Sequence, residues 1–167
     1  MTLIELNALN KAEFTAALGS IFEHSAWIAQ ATWPQAPFAD VAALHAAMCA
    51  ILGGADAQAQ LALIRAHPEL AGRAAIRGEL TEASTREQAG AGLDQCSAAQ
   101  YAQLTELNAA YNVRFGFPFI LAVRGHSRDS IIANMAARLG NQRDIEISTA
   151  LAQIERIAMF RLNDLIA

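Results

Sequence analysis

Apolar residues along this chain recur every three to four positions, so segment after segment reads as an amphipathic helix. Asn10 and Glu13 have the spacing of a capping box, and Phe14, Ala17, Leu18 and Ile21 follow at helical intervals. Asp40 is placed to cap a helix carrying Val41, Leu44, His45, Met48 and Leu52, which Gly53-Gly54 ends. Asp56 caps the next helix, whose apolar stripe includes Leu61 and Ile64 and which stops at His67-Pro68. Ser97 opens another, with Tyr101, Leu104, Asn108 and Tyr111 spaced along it. Ser127, with Asp129 near the start, opens a helix that Gly140 closes. The last helix begins after Asn141 and runs nearly to the end on Ile147, Leu151, Ile154, Ala158, Leu162 and Leu165.

Strict alternation of apolar and polar residues is missing. The one strand-like stretch, Phe115 to Val123, holds three phenylalanines around Gly116 and Pro118 and has no visible sheet partner, so it reads as a buried connector. The pattern predicts an all-α protein, a single-domain helical bundle over residues 1–167 with about eight to ten helices. No repeat, linker or low-complexity tract interrupts it.

Composition narrows the class. At 167 residues the chain can bury a full core, and 54% hydrophobic residues with a mean hydropathy of +0.23 imply a dense one. No apolar run approaches the roughly 18 residues needed to span a bilayer. Met1-Thr2-Leu3-Ile4-Glu5 lacks the basic start of a secretory signal, and Asp164-Leu165-Ile166-Ala167 matches no lipidation or peroxisomal address. These readings predict a soluble, cytoplasmic protein with no membrane partner. A net charge of −4 argues against nucleic acid, which requires a basic face. Lys11 is the only lysine, so the positive charge is nearly all guanidinium, which suits planar carboxylate recognition and equally reflects a compositional bias of the source. Cys49 and Cys96 form no CxxC pair, and Cys49 falls in an apolar stretch and reads as a core residue.

Chemistry has few places to reside. His24, His45, His67 and His126 are scattered without an HExxH pattern, which argues against a metal site, and Gly90-Ala91-Gly92 lacks the rest of a phosphate-binding loop. His67 differs from the other histidines because Pro68 follows it. Proline disfavours the helical conformation for the residue before it, so His67 sits in a fixed geometry at a helix end. Ser84-Thr85-Arg86-Glu87-Gln88 follows at a distance that can return a carboxylate to that imidazole. A carboxylate can set an imidazole's tautomer and hold it charged, and the two can move a proton on and off a small substrate. In the plainer alternative, Ser84 and Glu87 form a capping box and His67 caps its own helix. Arg114-Phe115-Gly116-Phe117-Pro118-Phe119 can offer backbone amides and an aromatic wall to a flat ring; alternatively its phenylalanines fill the core and Arg114 pairs with a surface carboxylate. Arg161 lies beside the apolar stripe of the last helix, where it clamps a substrate carboxylate or extends its head to water.

Taken in order, Phe22-Glu23-x-Ser25-x-Trp27, His67-Pro68-Glu69-Leu70, Ser84-x-x-Glu87-Gln88-x-x-Ala91-Gly92-Leu93 and Leu107-Asn108-x-x-Tyr111-x-x-Arg114-Phe115-Gly116-Phe117-Pro118-Phe119 resemble the 2-oxo-4-hydroxy-4-carboxy-5-ureidoimidazoline (OHCU) decarboxylases of urate degradation. Ile154-Glu155-Arg156 and Arg161-Leu162 also fit, so the resemblance spans nearly the whole chain. It implies an all-helical, homodimeric enzyme that uses neither cofactor nor metal and converts an unstable ureidoimidazoline into (S)-allantoin and carbon dioxide. By motif, His67 and Glu87 are the catalytic pair. Ser84, Gln88 and Arg161 bind polar groups of the small-molecule substrate, and Pro68, Phe117, Phe119 and Ile120 shape the pocket. Two competing readings are a helical ligand-binding or scaffold module that does not turn its ligand over, and a metal-dependent hydrolase.

Overall fold

The structure, a computed structural model, describes residues 1–166, and among these it contains ten α-helices, two short 3-10 turns and no strand. Ala167, the last residue of the C-terminal address reading, lies outside the described residues. The helices sort into two compact units, Met1–Ala66 with Ile154–Ala167, and His67–Gln153.

The first unit holds α1 (Leu3–Asn7), α2 (Lys11–Leu18), α3 (Ala26–Thr32), α4 (Val41–Gly53), α5 (Ala57–Ala66) and the end of α10 (Arg143–Leu165). Its helix starts follow the sequence. Asn10 and Glu13 bond each other's backbone amides in a capping box, Asp40 accepts from the Ala43 amide, and Asp56 accepts from that of Ala59. Leu6, Phe14, Leu18, Ile28, Leu44, Met48, Leu52, Leu63 and Ile64 are buried, each such side chain contributing about 1.5–3 kcal/mol by leaving water. α3 packs against both α2 and α4. The Asn7 side-chain amide pairs with both backbone groups of Phe38, at 2.9 Å each, and seats that ring against Phe14. Cys49 departs from expectation. It is half-buried with its sulfur 3.3 Å from His45 Nε2, and burial, with Glu155 nearby, pushes the thiol up to about 12. The helical period places Cys49 beside His45 one turn earlier, at the margin of the stripe.

The second unit holds α6 (Arg73–Arg77), α7 (Glu82–Gly90), α8 (Ala98–Phe115), α9 (Arg128–Arg138) and the start of α10. Ser97 and Ser127 cap α8 and α9 as read. α8 ends on Gly116, whose φ of +77° is a left-handed turn that glycine adopts without penalty. Phe115, read as the start of the connector, is the last residue of α8, and the chain then runs through 117–123 as a buried connector with no strand.

Connectors cannot satisfy their own backbone, and here side chains take over that task. Arg138 Nη1 donates to Ile120 O at 2.7 Å, and Gln153 Oε1 accepts from the Ala122 amide at 3.0 Å. The same guanidinium pairs with Glu146 at 2.8 Å and lies over the Phe119 ring, 4.4 Å from its centre. Glu146 is fully buried and also accepts from Tyr111 and Asn141. Tyr111 in turn carries Phe115, Phe119 and Phe117 around it with centroids 4.5, 5.4 and 6.0 Å away. Arg114 corrects one sequence expectation. It donates to Asn141 O at 2.9 Å, a carbonyl of the segment joining α9 to α10 and not a surface carboxylate.

Burial acts against the ionised form of Glu146, yet the bonds from Arg138, Tyr111 and Asn141 outweigh it and hold the carboxyl below its ordinary 4.5. The contribution is therefore complete above pH 4.5 and is lost as pH falls through the lowered value. Glu146→Gln is expected to flatten the acid limb of stability below that pH in urea titrations. Arg138→Leu, which leaves the carboxylate buried without its cation, is expected to cost about 3–5 kcal/mol at pH 7. A loss under about 1 kcal/mol would show that the pair does not hold this unit together.

Candidate active site

Three of the predicted residues share one face of α7. Ser84, Glu87 and Gln88 are spaced i, i+3, i+4, which stacks them along the same side of a helix. Ser84 and Gln88 are buried and Glu87 is half-buried, while Thr85 and Arg86 point to solvent. The helix starts one residue after Thr81, whose hydroxyl accepts from the Ser84 amide at 3.3 Å. Thr81 is thus the cap. Ser84 and Glu87 lie inside the helix, so the capping-box alternative for this pair does not hold.

Gln88 anchors that face. Its Oε1 accepts from the Ala71 amide at 2.9 Å, and its Nε2 donates to Glu69 O at 3.2 Å. One side-chain amide thereby pairs α7 with the turn two to four residues beyond His67. Gln88 was expected to bind substrate. Both ends of its amide hold backbone, and it is first a strut of the site.

His67 is the first residue past α5, and it is 7% exposed. The helix stops there because Pro68 has no amide hydrogen to offer it. Residues 68–71 are held by α8 as well as by α7. Asn108 Nδ2 donates to Leu70 O at 2.9 Å, and Asn112 Nδ2 donates to Glu69 Oε1 at 2.5 Å. Ala71 sits at a φ of +50°, a left-handed conformation costing about 1–2 kcal/mol for a non-glycine residue. The bond from Gln88 to its amide is what keeps it there. Asn112 and Glu69 were missed by sequence reasoning; the signal was an Asn-x-x-x-Asn pair on a helix face otherwise assigned to packing.

The connector also divides the expected roles. The rings of Phe117 and Phe119 are each 1% exposed and belong to the Tyr111 cluster. Ile120 is buried and its carbonyl is taken by Arg138, whereas among the described residues its amide meets no acceptor. Arg161 lies in the other unit. Its Nη1 donates to Glu23 Oε2 at 2.8 Å and to Ser20 O at 3.2 Å, and both charged side chains are buried. It does not extend to water, because the Glu23 carboxylate of the Phe22-Glu23-x-Ser25 motif neutralises it inside. Among the described residues no group of three or more histidine, cysteine, aspartate or glutamate side chains is arranged to hold a metal.

A family model described as OHCU decarboxylase matches residues 7–163. The chain belongs to the OHCU decarboxylase family. Within that match lie all the predicted site residues of both units. Named relatives agree. A 2-oxo-4-hydroxy-4-carboxy-5-ureidoimidazoline decarboxylase from Halalkalicoccus jeotgali is 41% identical over 99% of this chain and 92% of its own length. The uric acid degradation bifunctional protein PucL of Bacillus subtilis is 42% identical over 99% of this chain, which spans only 33% of that protein. Among solved structures, an (S)-allantoin synthase superposes with a TM-score of 0.81 at 30% identity, over 99% of this chain and 54% of that one. An OHCU decarboxylase crystallised with (S)-allantoin superposes at 0.72, covering 94% and 98%; at 20% identity this likeness concerns the fold.

If Thr81 alone caps α7, Thr81→Ala should lower stability by about 1 kcal/mol. Ser84→Ala and Glu87→Ala should leave the helical signal at 222 nm unchanged. A helicity loss confined to the Ser84 and Glu87 variants would restore the capping role to that pair.

Proposed function

We propose that this chain decarboxylates OHCU to (S)-allantoin and carbon dioxide, with His67 and Glu87 as the pair that handles protons. The observation carrying the proposal is the amide of Gln88, which ties the face of α7 bearing Glu87 to the turn that follows His67. Membership of the family supplies the reaction class, that of a carboxy-lyase of urate degradation.

The substrate supplies its own electron sink. The bond from C4 to its carboxylate breaks, carbon dioxide leaves, and the bonding pair forms a C4–C5 double bond while the ring imine electrons pass to nitrogen, which takes a proton. The C4 hydroxyl then loses its proton and becomes a carbonyl as C5 gains one, giving allantoin. The protein must orient the carboxylate, remove the hydroxyl proton and deliver a proton to one face of C5. His67 takes the hydroxyl proton, and Glu87 orients the imidazole or protonates C5; the two assignments can be exchanged without altering the balance. Fixed donors aimed at developing charge each supply roughly 3 to 4 kcal/mol of barrier lowering. Ser84 and the Ile120 amide are offered as such donors, with Pro68, Phe117 and Phe119 as the rigid wall behind them. Arg161 as the ligand of a substrate carboxylate rests on the family resemblance. The same reading takes residues 1–167 as one functional domain, acting as a cytoplasmic homodimer on a small-molecule substrate, away from nucleic acid and membrane.

His67→Asn should reduce the catalysed rate by about 10²- to 10⁴-fold while far-UV circular dichroism stays unchanged. The assay follows the optical activity of allantoin formed from freshly oxidised urate after hydrolysis, where uncatalysed decay yields a racemate. A variant producing (S)-allantoin at the parental rate would remove His67 from the reaction.

A further inference from the structure

Glu69 is the acidic residue nearest His67 in the chain, and by position alone it invites a role in proton transfer. Its surroundings give it a different one. A Cβ placed on Gly72 would lie 2.6 Å from Glu69 Cβ and 2.9 Å from its Oε2, so glycine there is what lets the Glu69 side chain fold back against its own turn. Folded back, the carboxylate reaches α8 and accepts from Asn112 Nδ2, while its backbone carbonyl accepts from Gln88. Asn112 also donates to Asn108 O, and Asn108 holds Leu70 O, so two asparagines one helical turn apart grip consecutive residues of the turn. α8 itself is anchored by Tyr111, fully buried between them in sequence and bonded to Glu146.

We propose that Glu69 and Asn112 are a positioning pair for His67, a role that rests on the reading of His67 as catalytic. Pro68 is the only residue between Glu69 and His67, and its ring fixes φ. With only ψ left to turn at Pro68, a shift of Glu69 is less readily absorbed there and is transmitted toward the imidazole. The carboxylate is needed as a hydrogen-bond acceptor, not as an acid or a base. An amide oxygen accepts as well, which separates this role from proton transfer.

Steady-state kinetics on Glu69→Gln, Glu69→Ala, Asn112→Leu and the double variant Glu69→Ala/Asn112→Leu test the pair, with thermal melts to count folded protein. Glu69→Gln should keep kcat within about threefold of the parent, because the acceptor is retained. Glu69→Ala and Asn112→Leu should each lower kcat by about 10- to 100-fold at nearly constant KM and erode the enantiomeric excess of allantoin. The double variant should be no worse than either single one, since both remove the same bond. The proposal is overturned if Glu69→Gln is as impaired as Glu69→Ala, if Glu69→Ala retains parental kcat per folded molecule, or if the two losses multiply. Should Asn112→Leu fail to fold, the contrast between Glu69→Ala and Glu69→Gln decides alone. His67→Asn is assayed beside them. If it is fully active, the catalytic histidine has failed; if it is inactive while Glu69→Ala matches the parent, only the positioning pair has failed.

Discussion

A turn without regular secondary structure cannot hold a side chain still by its own backbone bonds, and residues 68–71 are such a turn. The constraint on which the candidate site depends is the side-chain amide of Gln88, which takes the place of a neighbouring strand by accepting from Ala71 and donating to Glu69. The same bonds fasten α7, the helix that carries Glu87, to the turn that follows His67. Each such bond contributes only about 1 kcal/mol to stability, but leaving the buried Ala71 amide unpaired costs about 1–3 kcal/mol. That asymmetry favours this one arrangement, and it holds Ala71 in its left-handed conformation at a local cost.

Charge is buried in each unit and serves to satisfy irregular chain. In the second unit Arg138 bonds Ile120 O and Glu146, and so fastens the connector to the helix after it. In the first unit Arg161 bonds Ser20 O and Glu23, residues of the segment joining α2 to α3. A guanidinium suits both places. It carries several donors in one plane, so it can neutralise a carboxylate and bond a carbonyl with the same group. The near absence of lysine in the sequence is consistent with this use, although most of the arginines serve elsewhere.

The fold was legible in the sequence where local chemistry decides it. Asn10, Asp40, Asp56, Ser97 and Ser127 each cap the helix they were read to cap, because a cap needs only the few residues beside it. The stretch 115–123 had no sheet partner visible anywhere in the sequence, and among the described residues there is no strand. What escaped was every contact made over long separations. The bond from Glu23 to Arg161 joins residues 138 apart, and that from Glu69 to Asn112 joins residues 43 apart. Nothing in the periodicity of a single helix reveals such a partner. The α7 boundary failed differently. The sequence offered Ser84 and Glu87 as a capping box, but the helix starts after Thr81, which leaves Ser84, Glu87 and Gln88 together on one face.

That outcome bears on how the site works. A reaction whose substrate carries its own electron sink asks the protein for position and polarity and not for an added reactive group. Position must then come from elements that do not move when the substrate arrives. Here Phe117 and Phe119, proposed as the wall, are packed into the Tyr111 cluster, and the turn beyond His67 is held from two helices by Gln88, Asn108 and Asn112. The groups proposed to meet the substrate in this unit are an imidazole, a half-buried carboxylate, a hydroxyl and a backbone amide. This economy is what a small polar substrate requires, because donors already fixed before the reaction need no reorganisation while charge develops. Gln88 and Glu69, which look chemically capable, also hold this turn through their own hydrogen bonds.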